Sequence, residues 1–155
     1  MKCIGTVANR AAIGAKIRVQ ATIGGRSFWQ MRELNAGGGC ARPLVAHFGL
    51  GDATKVETIR VEWPGGTVQE LHDLAPKQIL TVTEPARLLA AATNGVPRYF
   101  LKGRRGFQYE VQASVDLMGW SSLGSVTITD FGGTTPIVVP SPALSDHTFY
   151  RAVSR

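Results

Sequence analysis

The sequence predicts an all-β protein, built as two small antiparallel β-sandwich or barrel-like domains in tandem. Three observations carry this reading. Apolar and polar residues alternate with period two in several segments. Glycine and proline, 18 and 8 residues, punctuate those segments. The segments are short and recur about every ten residues, the spacing of sandwiches and barrels. A length of 155 residues fits one or two small domains.

The first alternating stretch is Ala15-Lys16-Ile17-Arg18-Val19-Gln20-Ala21, with its apolar residues at odd positions. Gly24-Gly25 follows, and Arg26 to Arg32 then reads as the return strand of a hairpin turning at the glycines. Residues 35–43, with Gly37-Gly38-Gly39, read as loop. Thr58-Ile59-Arg60-Val61-Glu62-Trp63 alternates again, Pro64-Gly65-Gly66 stops it, and Thr67 to Leu71 returns. Residues 78–83 close this half. Glu84-Pro85 marks a boundary, residues 86–92 read as a turn or two of helix, and residues 93–97 punctuate.

The domains expected are therefore residues 1–85 and 98–155, joined by a linker over 86–97. In the second half, Phe107, Tyr109, Val111 and Ala113 alternate with Gln108, Glu110 and Gln112. Residues 125–129, 135–139 and 147–153 read as further short strands. The halves share a style but no repeat.

Composition excludes several classes. The longest apolar run, Leu88-Leu89-Ala90-Ala91-Ala92, is far below the ~18 residues of a membrane span. Met1-Lys2-Cys3-Ile4-Gly5 has no charged region followed by an apolar one, so no signal peptide is expected in this chain. Cys3 and Cys40 can form one bridge but no disulfide framework. The three His and two Cys lack zinc-ligand spacing. Net charge is +6, shared evenly: residues 1–86 hold ten basic and seven acidic residues, and residues 87–155 hold seven and four. With only Lys102, Arg104 and Arg105 clustered, sequence-specific nucleic-acid binding is not expected, although charge alone allows weak attraction to acidic surfaces.

Three motifs then occur in a telling order. Asn9-Arg10-Ala11-Ala12-Ile13-Gly14-Ala15-Lys16-Ile17-Arg18-Val19 resembles the N-R-D-A-I-G-A-R-V opening of the ASPIC/UnbV domain. His47-Phe48-Gly49-Leu50-Gly51 is similar to that family's H-F-G-L-G, and Trp63-Pro64-Gly65-Gly66 to its W-P-S-G. The departures are Ala11, where Asp is common, and Gly66, in place of the usual residue pairing after the proline. With Ala11 in place, any ligand role of that carboxylate in relatives does not carry over. The second half, through Tyr109-Glu110-Val111-Gln112-Ala113-Ser114-Val115-Asp116-Leu117-Met118-Gly119-Trp120 and Phe149-Tyr150-Arg151-Ala152, resembles a C-terminal immunoglobulin- or fibronectin-like β-sandwich module of secreted environmental bacterial proteins. The first resemblance implies an upstream β-propeller with calcium loops, and hence an extracellular or periplasmic chain that is the C-terminal piece of a longer protein.

The candidate chemistry is sparse. Gly119-Trp120-Ser121-Ser122-Leu123-Gly124 misses the G-x-S-x-G nucleophile elbow by one residue, so Ser121 is a weak nucleophile candidate. His47, His72 and His147 are the available bases. His47 reads as a tight strand end donating to a backbone carbonyl. Asp146 neighbours His147, but adjacent strand residues point to opposite faces. Calcium is the one cofactor left open, with Asp52 and Asp130 as solitary carboxylates and no D-x-D loop. Trp63 and Trp120 read as core anchors, whereas Trp29, next to Phe28 on a strand, is the candidate contact residue for a glycan or protein surface.

Two functions fit these residues. One is a non-catalytic extracellular interaction module serving adhesion, carbohydrate binding or assembly. The other is a small hydrolase of esters, lactones or glycans that uses the scattered His, Asp and Ser residues, with or without calcium.

Overall fold

The computed structural model describes residues 1–37, 44–93, 96–139 and 147–154, and strands, turns and loops account for all of them. Two compact units divide the chain, Met1–Glu84 and Pro85–Arg155.

The first unit contains β1 (Lys2–Ile4), β2 (Lys16–Ile23), β3 (Arg26–Glu33), β4 (Val56–Glu62), β5 (Val68–Leu74) and β6 (Thr81–Thr83). Four of them form an antiparallel sheet in the order β3-β2-β4-β5. Gly24 (φ 56°) and Gly25 (φ 75°) form the two-residue turn between β2 and β3, a left-handed pair that glycine adopts without steric cost. Period-two alternation turns Ile17, Val19 and Ala21 of β2 and Ile59 and Val61 of β4 into one buried face. Each large aliphatic side chain so buried contributes about 1.5–3 kcal/mol. Trp63, at 3 % exposure, completes this core, and its indole N–H donates to Gln69 Oε1 at 3.1 Å.

Two details differ from expectation. The β1–β6 pair is parallel, Cys3 lying opposite Val82, because the first and last strands of the unit run side by side. The last strand is also shorter than the pattern over 78–83 implies. Lys77 takes a left-handed φ of 57°, and the chain rejoins a ladder only at Thr81.

The second unit contains β7 (Arg87–Thr93), β8 (Val96–Lys102), β9 (Gln108–Ser114), β10 (Ser121–Thr127), β11 (Thr134–Ile137) and β12 (Phe149–Ser154). They form two antiparallel three-stranded sheets, β11-β8-β7 and β10-β9-β12, around Leu101, Tyr109, Val111, Ile128 and Ile137. Among the described residues, none of the sheets closes into a barrel. The expected helix over 86–92 is strand β7, paired with β8 from Arg87 opposite Lys102 to Thr93 opposite Val96. Cross-strand pairing, with Leu88 against the core, overrides the helix propensity of the alanines. The expected linker over 86–97 is thus largely part of a hairpin.

Candidate functional site

The two faces of the β3-β2-β4-β5 sheet differ in kind. Facing away from the core, one row crosses all four strands: Trp29 lies opposite Gln20, Gln20 opposite Thr58, and Thr58 opposite His72. Strands sit about 4.8 Å apart, so the row runs some ~14 Å across the sheet. Trp29 is 49 % exposed, and it stands on the edge strand β3 beside Met31 at 47 %. Thr58 Oγ1 and His72 Nδ1 lie 3.4 Å apart.

A second row, Met31–Arg18–Arg60–Glu70, runs alongside. Glu62 Oε1 receives Arg18 Nε at 3.1 Å and Arg60 Nε at 3.3 Å, while Arg60 Nη1 reaches Glu70 at 2.8 Å. Partial desolvation pushes the Glu62 carboxyl up, but the two guanidinium groups hold it below its ordinary range. Exposed ion pairs of this kind add little stability; they fix where the polar groups point. Hydrogen bonds from Thr22 and Ser27 hold the Glu57 carboxyl below its usual value in the same way.

On the core side, the buried Val19, Val56 and Ile59 line the base of a cavity of about 650 Å³. One wall is the loop carrying His47, Phe48 and Leu50, and the other is the loop from Leu74 to Leu80. Strand β1 ties both walls: Ala46 N–H donates to Met1 O at 2.8 Å, and Lys2 N–H donates to Leu80 O at 2.8 Å. Burial lowers the Met1 amine below its ordinary pKa, and that amine donates to Ala46 O. The described lining residues include no Asp or Glu.

The motif residues now have physical roles. Asn9 clasps Ile13 at both its N–H and its carbonyl, at 2.9 Å each, and so sets the turn that delivers β2. His47 lies in a loop rather than at a strand end. It is exposed, and among the described residues its ring makes no hydrogen bond. Phe48 instead packs on the core, with Arg32 over its ring at 5.5 Å. The glycine after Phe48 presents its carbonyl to Gln30 Nε2 at 2.7 Å.

The other candidates do not gather. Asp52 accepts Gly24 N–H at 2.8 Å and so caps the β2–β3 turn. Asp130 accepts Gly132 N–H at 2.7 Å in the turn before β11. Among the described residues, no three His, Cys, Asp or Glu side chains stand close enough to share a metal. Ser121 is an exposed residue at the start of β10, opposite Ala113. His147 is exposed just ahead of β12, and Asp146 and Cys40 lie outside the described residues. Trp120 is only half-buried, unlike the expected core anchor, because it leads into an edge strand. Arg151 covers its ring at 4.1 Å, and its N–H donates to Leu117 O at 3.2 Å.

Sequence reasoning missed two features. Lys77 and Ile79 border the cavity, whereas the apolar Ile79-Leu80 pair had suggested strand. Glu84 is 1 % exposed, and its Oε2 accepts the N–H groups of Thr6, Val7 and Ala8 at 2.9, 2.9 and 2.8 Å. A buried carboxylate next to a proline leaves no pattern in the string.

A family model described as ASPIC and UnbV matches residues 5–88, nearly all of the first unit and more than half of the chain. No curated protein and no solved structure matches the chain.

Proposed function

The chain belongs to the ASPIC and UnbV family, and we propose that it is a non-catalytic interaction module that binds neutral oligosaccharide on the outward face of its first sheet. The observation that carries this reading is the row Trp29–Gln20–Thr58–His72. A half-exposed indole offers a flat apolar surface to the C–H face of a sugar ring, while the amide, hydroxyl and imidazole beside it offer donors and acceptors to sugar hydroxyls. On one side of the row Arg18 and Arg60 are paired with Glu62 and Glu70, and on the other the Glu57 carboxylate is held by Thr22 and Ser27. With these cations already paired and a further carboxylate beside the row, the face favours neutral sugars over acidic polymers, despite the net charge of +6.

The resemblances described above further support an extracellular or periplasmic setting, with this chain as the C-terminal part of a longer exported protein. Its second unit then serves as a β-sandwich spacer or adhesion module. Sequencing the DNA upstream of Met1 tests the longer protein: an in-frame stop beside a ribosome-binding site would rule it out.

Binding is tested on an array of neutral and uronic-acid glycans, probed with wild type and Trp29→Ala. Expected are retention on neutral glycans and at least a tenfold loss in the variant, with circular dichroism unchanged. Equal retention of the two proteins, or none by either, refutes the site.

A further inference from the structure

We propose that the apolar cavity on the core side of the first sheet binds a single-chain fatty carboxylate, with the tail over Val19, Val56 and Ile59 and the head group at Lys77. This site is separate from the Trp29 row and stands or falls independently of it.

Three observations converge. At about 650 Å³, the cavity lies within the ~300–1,000 Å³ range of small-molecule sites. Its floor and walls are aliphatic and aromatic, with Phe48, Leu50, Leu74 and Leu80 closing the sides. Phe48, Leu50, Leu74 and Leu80 are only half-buried and Ile79 is exposed, so the walls and rim keep apolar surface in water and gain by taking in a hydrocarbon chain.

The mouth selects the head group. Lys77 is the one charged side chain among the described lining residues, the Met1 amine in the same lining being bonded to Ala46 O, and no carboxylate opposes it. It also borders the neighbouring depression formed with Phe48, Leu50, Gly51, Gln78 and Ile79. An ammonium where the apolar cavity meets this depression matches an anionic head group on an apolar tail, because its own methylenes can lie along the wall while its charge stays in water. A left-handed φ of 57° at Lys77 and the bond from Gln78 Nε2 to Ala75 O at 2.7 Å shape this corner of the loop. Ile79, 86 % exposed at the same rim, is an apolar residue that a bound chain would cover.

The test is calorimetric titration of the full chain with dodecanoate and, separately, with dodecyltrimethylammonium, which carries an equivalent tail and the opposite charge. Expected is saturable one-to-one binding of dodecanoate, at least tenfold tighter than the ammonium. Lys77→Glu and the milder Lys77→Gln each weaken dodecanoate, Glu at least tenfold, and Ala75→Trp at the rim blocks it. Trp29→Ala leaves it unchanged. Circular dichroism confirms that each variant is folded. No saturable binding below the micelle concentration overturns the proposal. So does equal affinity for the two head groups, or affinity unchanged in both Lys77 variants.

Discussion

Truncating Glu84 separates the first unit's fold from its surface chemistry. The carboxylate is buried at 1 % exposure, and one oxygen gathers three backbone N–H groups from Thr6, Val7 and Ala8. Thr6 Oγ1 also donates to the Glu84 carbonyl at 2.9 Å, which joins the loop after β1 to the end of β6. A hydrogen bond to a charged acceptor contributes about 1.5–3 kcal/mol. Three bonds on one atom do not add fully, and half-buried Thr6, Val7 and Ala8 admit water once the side chain is gone. Glu84→Ala therefore costs about 3 kcal/mol. For a unit of this size that corresponds to a fall on the order of 15 °C in Tm. Glu84→Gln keeps an acceptor oxygen and costs about 1 kcal/mol. The assay is urea denaturation read from the emission of Trp29 and Trp63, with Trp120→Phe silencing the second unit. An Ala variant within about 1 kcal/mol of wild type, or as stable as the Gln variant, would refute the clasp.

Three further outcomes follow from neighbouring observations. A side chain at Gly65 would place its Cβ 3.4 Å from Glu84 Oε1, a buried oxygen with no hydrogen-bond partner among the described residues. Gly65→Ser is expected to stabilise the first unit by about 0.5–1 kcal/mol in urea, and by nothing once Glu84 is Ala. Asp116 is held below its ordinary pKa of 3.8 by N–H groups of Gly119 and Met118 and by Ser114 Oγ. A depressed carboxyl contributes stability above its unfolded pKa and loses it as pH falls through the folded one. The urea midpoint read from Trp120 should therefore drop below about pH 4, and Asp116→Asn should flatten that drop. Burial pushes the Cys3 thiol up to about 11, so iodoacetamide at pH 8 should spare it in the folded chain and label it in denaturant, as read by peptide mass mapping.

Periodicity carried most of the fold into view. The β2–β3 hairpin was legible because Gly24-Gly25 demands the turn that it makes, and the buried face of β2 because Ile17, Val19 and Ala21 alternate. Strand β7 was not legible, since an alanine run satisfies both helix and hairpin and only its pairing with β8 decides. Trp29 was identifiable as exposed because a neighbour pair on a strand cannot face one way. Phe28 is also exposed, at 44 %, because the edge position of β3 leaves both of its faces open. The cavity was hidden for another reason: it forms between loops 44–50 and 74–80, which are far apart in the chain and carry no shared pattern. Trp120 misled because a tryptophan in a motif was read as core, when Arg151 rather than a second sheet covers it.

The central claim, recognition through the outward row of the first sheet, is tested most directly by heteronuclear NMR titration with neutral hexaoses such as cellohexaose and xylohexaose. The account predicts the largest shifts at the Trp29 indole N–H, with Gln20, Thr58 and His72 following and Trp120 silent. Shifts centred elsewhere, or none with either sugar, would contradict it.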